Sequence, residues 1–186
     1  MEQDYLDLLK NILENGNIKE DRTGIGTKSI FGTRLSFSLK DNVLPLLTTK
    51  KMFTKGIIEE LLFFIRGETN TKLLEEKGVN IWKGNTSREF LDKKGLHNLK
   101  EGDMGPMYGY LWRNFNGVDQ LKNVIELIKN DPDSRRILVS AYDPSLSNKC
   151  VLDPCHMFFQ FYVEDNAWLS LQWYQRSVDS FLRFTF

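Results

Sequence analysis

Residues 157–174 constrain the fold more than any other stretch. Met157-Phe158-Phe159-Gln160-Phe161-Tyr162-Val163 and the run from Trp168 to Tyr174 are two apolar, aromatic-rich segments. Between them lies a turn near Asp165-Asn166, so the whole reads as a β-hairpin. A hairpin this apolar needs a core to lie on. A chain of 186 residues, 41% hydrophobic and 27% charged, is long enough to build one as a single domain. Directly ahead of the hairpin stands Asp153-Pro154-Cys155-His156, which puts a thiol at the mouth of a strand.

The other elements follow from periodicity and punctuation. Tyr5, Leu8, Leu9 and Ile12 keep the spacing of an amphipathic helix, and Gly16 is placed to stop it. Asp21 to Thr27 is a polar, glycine-rich loop. Leu35, Phe37 and Leu39 alternate with polar residues, which predicts a half-buried strand. A helix is predicted from about Ile57 to Arg66, closed by Gly67. Residues 80–118 are irregular, and loops of that length are functional or hide short elements. Asp119 caps a predicted helix whose buried face is Leu121, Val124, Ile125 and Ile128, ending before Pro132. Arg135-Arg136 open a strand from Ile137 to Tyr142. Strands with interspersed helices and no regular βαβ rhythm indicate an α+β fold.

Charge excludes some partners. Lys plus Arg and Asp plus Glu number 25 each, so no overall electrostatic footprint for DNA or a membrane surface exists. The start, Met1-Glu2-Gln3-Asp4, lacks the basic and apolar regions of a signal peptide, and Leu61–Ile65 is too short to span a bilayer. Cys150 and Cys155 lie too near each other to frame a disulfide scaffold. The expectation is a soluble, cytoplasmic protein.

Cys155 has three readings. A metal site finds no common zinc spacing, because His97 is the only histidine besides His156, so no metal is expected. An inert buried thiol is the default. A nucleophile needs a positive neighbour, which Arg176 on the partner hairpin strand supplies. His156 points away from Cys155 if both are extended. Glu60 has Ile57, Phe63 and Phe64 at helical spacing, and a carboxyl among apolar neighbours is suited to moving protons near neutral pH. Its alternative is a structural hydrogen-bond network. Glu59, on a face with Lys55 and Arg66, reads as solvated. Arg22, the pair Arg135-Arg136 and Arg176 suit an anion, although each alone reads as a surface residue and adjacent arginines on a strand diverge.

Together these pieces resemble thymidylate synthase. The resemblance rests on Asp21-Arg22-Thr23-Gly24, Pro45 to Lys50, Glu60-Leu61-Leu62 and Ile81-Trp82. It continues through Gly105 to Gly109, Asp131 to Arg136, Pro154-Cys155-His156 and Gln175-Arg176-Ser177. It implies a mixed sheet with surrounding helices. It also implies reductive methylation of dUMP to dTMP, with 5,10-methylenetetrahydrofolate as co-substrate. Cys155 would then attack the pyrimidine, with Glu60, Tyr108 and His156 as catalytic partners. Arg22, Gln175, Arg176, Ser177 and Asp179 would hold the nucleotide. Arg135 and Arg136 would reach in from the second subunit of a homodimer, which reconciles the adjacent pair with one shared anion. Lys50, Ile81, Trp82, Leu152 and Asp179 correspond to folate-contacting positions. Lys83 departs from the pattern, since the family has an acid after the tryptophan.

The resemblance also implies that the chain is the N-terminal two-thirds of the domain. Beyond Leu182 the family continues Gly-Leu-Pro-Phe-Asn, whereas this chain reads Arg183-Phe184-Thr185-Phe186. If those family residues were spelled GGT TTA CCT TTT AAT, one inserted A yields AGG TTT ACC TTT TAA, which encodes the four observed residues and a stop. A frameshift after Leu182 is therefore expected, together with loss of turnover by the chain alone. Two alternatives are a dCMP or dUMP hydroxymethylase of the same superfamily and a non-catalytic dimer partner.

Overall fold

Helix α1 spans Glu2–Asn15 and buries Tyr5 and Leu8, with Leu9 and Ile12 half-buried beside them. Gly16 ends it by donating its amide to the Ile12 carbonyl at 3.0 Å, where a Cβ would sit 2.5 Å from that oxygen. This is the computed structural model of the chain, and it describes residues 2–20 and 24–181. Arg22, and the residues from 182 on which the frameshift expectation rests, lie outside them. Contacts divide the chain into two units, Met1–Phe53 with Val178–Phe186, and Thr54–Ser177.

In the first unit, α1 is followed by the antiparallel pair β1 (Asn17–Lys19) and β2 (Thr27–Ser29), with Lys19 opposite Thr27. The glycine-rich loop joins these strands, and Gly24 and Gly26 turn it at φ of 74° and 84°, where other residues are strained. The strand predicted over Leu35–Leu39 is not formed. Leu35 and Phe37 keep the alternation as half-buried side chains, but no described strand pairs with the segment. Alternation reports which side chains turn inward; it does not supply a ladder.

The second unit opens with α2, Thr54–Ile65, which buries Phe63 and Phe64. Gly67 closes it at φ 79°, its amide on Phe64 and that of Glu68 on Phe63, the paired bonds of a Schellman cap. Short helices occupy the segment that reads as irregular: α3 (Lys72–Glu75) just before it, then α4 (Arg88–Lys93) and α5 (Gly109–Arg113). Asp119 caps α6, Gln120–Asn130, by accepting from the Lys122 amide at 3.0 Å. The same carboxylate takes a bidentate pair from Arg113, whose third donor reaches the Ile65 carbonyl. One side chain thus joins the end of α2 to the α5–α6 corner. Ile125 corrects the predicted α6 face: it is exposed, and Leu127 packs on the core instead.

Three antiparallel strands complete the unit in the order β3 (Leu138–Ser140), β4 (His156–Glu164), β5 (Trp168–Gln175). β3 is shorter than predicted, although Phe161 to Ile137 and Ala141 to Met157 backbone bonds extend the pairing past both ends. Asp165 and Asn166 both have positive φ and Ala167 bonds back to Glu164, which makes the hairpin turn type I′. The register places Phe159 opposite Trp173. Near its mouth the register slips by one between His156 and Phe158, leaving Met157 as a bulge.

The core gathers Phe63, Leu91, Met104, Met107, Ile137 and Val151. Two surfaces stay apolar and uncovered: Ile58, Leu61, Leu62 and Ile65 on α2, and Trp168, Leu169, Leu171 and Tyr174 on β5.

Candidate active site

The loop Gly105–Gly109 fits where only glycine can stand at either end. A Cβ on Gly105 would meet the Lys149 carbonyl, and one on Gly109 would lie 2.6 Å from the Phe64 carbonyl. Between them Tyr108 is forced to φ 40° and ψ −102°, a conformation that costs a bulky residue about 1–3 kcal/mol. Its ring is buried at 4% exposure, 4.9 Å from Phe64 and 4.9 Å from His156 between centroids. The strain fixes the phenol in one place.

The phenolic oxygen accepts a hydrogen bond from the Cys155 amide at 2.9 Å. Burial pushes the phenol up to about 12, against the opposing pull of the Cys155 amide, so it stays protonated at neutral pH. The Cys155 carbonyl in turn accepts from the Arg176 amide at 3.1 Å. The Arg176 guanidinium donates to the carbonyls of Pro154 and Asp153, each at 2.9 Å. Three successive residues around the thiol are therefore held by one arginine. The bulge at Met157 makes this possible, since it brings Gln175 opposite His156 and Arg176 level with Cys155.

Cys155 is half-buried, whereas Cys150 is buried and burial pushes its thiol up to about 11. The His156 ring packs between Tyr108 and Trp173, the latter 5.2 Å away. Burial lowers its pKa to about 4, so it is neutral at pH 7. Glu60 is half-buried and accepts from the Trp82 indole nitrogen at 2.6 Å. Its charge further disfavours the Tyr108 phenolate. Trp82 lies 6.2 Å from Tyr108 between ring centroids. Glu59 forms a solvent-exposed pair with Lys77 at 2.6 Å, and that bond, then Lys77's charge, holds its carboxyl below the ordinary range.

The structure thus brings Cys155, Tyr108, His156, Glu60, Trp82 and Arg176 together, with Gln175 half-buried beside His156 and Ser177 exposed. Leu152 packs against the core and Ile81 is exposed. Arg135 and Arg136 are exposed, and among the described residues neither guanidinium makes a hydrogen bond or ion pair. Lys50 and Asp179 belong to the other unit. There Lys50 Nζ donates to the Phe181 carbonyl at 2.8 Å and Asp179 accepts the Phe181 amide at 3.0 Å. Arg22 lies outside the described residues. Trp173 was missed by sequence reasoning, although counting back from the Asp165-Asn166 turn pairs it with Phe159.

The family model for thymidylate synthase matches residues 3–186. The chain belongs to the thymidylate synthase family. It is 50% identical, over 96% of its length, to the bifunctional dihydrofolate reductase-thymidylate synthase of Leishmania major, and covers 37% of that protein. Against the proteins so named from Daucus carota and, as number 2, Arabidopsis thaliana, identity is 54% and 53% over 94% of the chain. The chain covers 35% and 33% of those two proteins. The α+β architecture is that of a thymidylate synthase-like fold. Among the described residues no helix is long and apolar enough to cross a membrane, and no cluster of three or more His, Cys, Asp or Glu could hold a metal ion.

Proposed function

We propose that the chain carries the nucleophile side of a thymidylate synthase site, which converts dUMP to dTMP with 5,10-methylenetetrahydrofolate. The observation that carries this reading is the anchoring of Cys155 between Tyr108 and Arg176, beside the Glu60–Trp82 pair. Cys155 Sγ, as thiolate, bonds to C6 of the uracil ring, and the C5–C6 electron pair moves into the C4 carbonyl as an enolate. That makes C5 the carbon that takes up the new one-carbon unit. The reduced folate, when bound, supplies that unit and the hydride that brings it to methyl. Release of the C5 proton and cleavage of the S–C6 bond return the thiolate.

The chain's own groups have distinct tasks. Tyr108, protonated because burial holds it near 12, relays the C5 proton as a neutral hydroxyl. Neutral His156 hydrogen-bonds within the polar surroundings of the base. Glu60, oriented by the Trp82 indole, organises water and protons there. Arg176 spends two donor groups on the Cys155 loop, and its remaining N–H groups, with Gln175 and Ser177, suit the nucleotide phosphate. Half-buried Trp82, exposed Ile81 and Leu152 are assigned to the aromatic pterin by side-chain type, and Lys50 and Asp179 are assigned to the polar groups of the folate. Arg135 and Arg136, both exposed, cross to the partner's site in a homodimer. The setting is the cytoplasm.

A second reading is favoured by the uncovered apolar faces of α2 and β5. In it the chain is a non-catalytic subunit that docks on another family member and lends it Arg135 and Arg136. One assay separates the two: nucleotide products formed by the purified chain, alone and mixed with an active family subunit. The nucleophile reading expects a covalent bond between Cys155 Sγ and the uracil ring of dUMP. A Cys155→Ser chain that supports the mixed assembly as well as the parent favours the second reading, and 5-hydroxymethyl nucleotide in place of dTMP marks a hydroxymethylase.

A further inference from the structure

In the first unit, Glu2 makes a contact that no assigned role explains. Its Oε1 accepts the amides of Thr48 at 2.6 Å and Thr49 at 3.1 Å, and its Oε2 accepts the Thr48 hydroxyl at 2.7 Å. A carboxylate with three donors is held in its charged form, and the Thr48 hydroxyl is the largest cause of its lowered pKa. The next residue along is Lys50, whose ammonium donates to the Phe181 carbonyl at 2.8 Å. Phe181 is also tied to Asp179 through its own amide at 3.0 Å. One helical step from Glu2, Tyr5 is buried, and the charge of Asp179 adds to burial in raising its phenol. The first turn of α1 therefore brackets both segments assigned above to folate.

We propose that Glu2 is a positioning residue for the folate site, fixing Thr48 and Thr49 so that Lys50 presents its ammonium to a carboxylate of the folate. The proposal rests on the reading of Lys50 as a folate contact. Two backbone amides bound to one carboxylate fix the 47–48 and 48–49 peptide planes, which narrows the directions in which the lysine stem leaves the loop. Without that anchor, binding must order the loop as well as the ligand.

The test is equilibrium binding of tetrahydrofolate and, separately, of dUMP to the full 186-residue chain, with thermal unfolding recorded alongside. Glu2→Ala is expected to weaken tetrahydrofolate about tenfold and to leave dUMP within about twofold, because only the folate pays for ordering the loop. Glu2→Gln, which keeps an oxygen toward both amides, recovers most of the affinity. Lys50→Ala gives a loss similar to Glu2→Ala. Equal weakening of both ligands together with a lowered melting temperature means that Glu2 merely holds α1, and overturns the proposal. So does a loss with Lys50→Ala that Glu2→Ala fails to reproduce. No effect of Lys50→Ala, or no tetrahydrofolate binding by the parent, instead removes the folate reading itself and the proposal with it.

Discussion

The amide of Cys155 donates to the phenolic oxygen of Tyr108 at 2.9 Å, so the thiol's backbone is set by a ring that is itself clamped between two glycines. Tyr108→Phe removes the acceptor and leaves the amide unsatisfied, at a cost of about 1–3 kcal/mol. Urea unfolding should show that loss. Alkylation of Cys155 should lose its protection by dUMP, while unchanged stability and protection would contradict the link. No pH dependence between 6 and about 9 should trace to Tyr108, given an ionisation near 12.

The glycine clamp makes a second prediction. A methyl at Gly109 would lie 2.6 Å from the Phe64 carbonyl and 2.7 Å from its Cα, both backbone atoms that α2 holds in place. Gly109→Ala should therefore destabilise the chain by about 2–3 kcal/mol. Gly84→Ala, where a Cβ meets open space, should stay within about 0.5 kcal/mol of the parent. Matched denaturation curves decide between them.

These features were unevenly legible in the sequence. Local signals held: the Gly16 and Gly67 stops, the Asp119 cap and the Asp165-Asn166 turn each work through atoms a few residues apart. What failed depends on distant partners. The alternation holds at Leu35 and Phe37 but not at exposed Leu39, and no described strand pairs with the segment. The exposed pair of Glu59 with Lys77, eighteen residues on, was likewise out of reach of local spacing. The bulge at Met157 and the positive φ of Tyr108 come from packing around the loop, and nothing in their own residue types announces them. The candidate catalytic residues were recognisable as types and motifs. The way Arg176 braces Cys155 through backbone carbonyls was not, because that depends on a one-residue shift in register.

The two thiols should differ sharply. Burial pushes Cys150 up to about 11, and it also donates to the Leu146 carbonyl at 3.3 Å. At pH 8 it is almost wholly protonated, and only thiolate reacts. Iodoacetamide should label Cys155 at least about tenfold faster than Cys150. Peptide mapping after short exposure checks this, and equal labelling would contradict the assignment of Cys150 as inert.

His156 sets a pH window for stability. Its folded pKa of about 4 lies below the ordinary 6.5, so the unfolded chain takes up the proton first as pH falls. The contribution is fully present above 6.5, declines as pH drops below it, and is lost by about 4. Urea midpoints should fall between pH 7 and pH 5, and His156→Gln should flatten that part of the curve. A parent midpoint that does not move over this range contradicts the half-buried, neutral imidazole.

The central claim is that Cys155 bonds to C6 of a uridine nucleotide. A fluorine at C5 cannot leave as a proton does, so 5-fluoro-dUMP with 5,10-methylenetetrahydrofolate should arrest the sequence after the sulfur–carbon bond forms and before release. Intact-mass measurement of the 186-residue chain, followed by peptide mapping, reads that bond directly and does not require turnover. The account predicts one adduct, on the peptide containing Cys155, absent from Cys155→Ser and retained in Cys150→Ser. No adduct, or an adduct on Cys150, contradicts it.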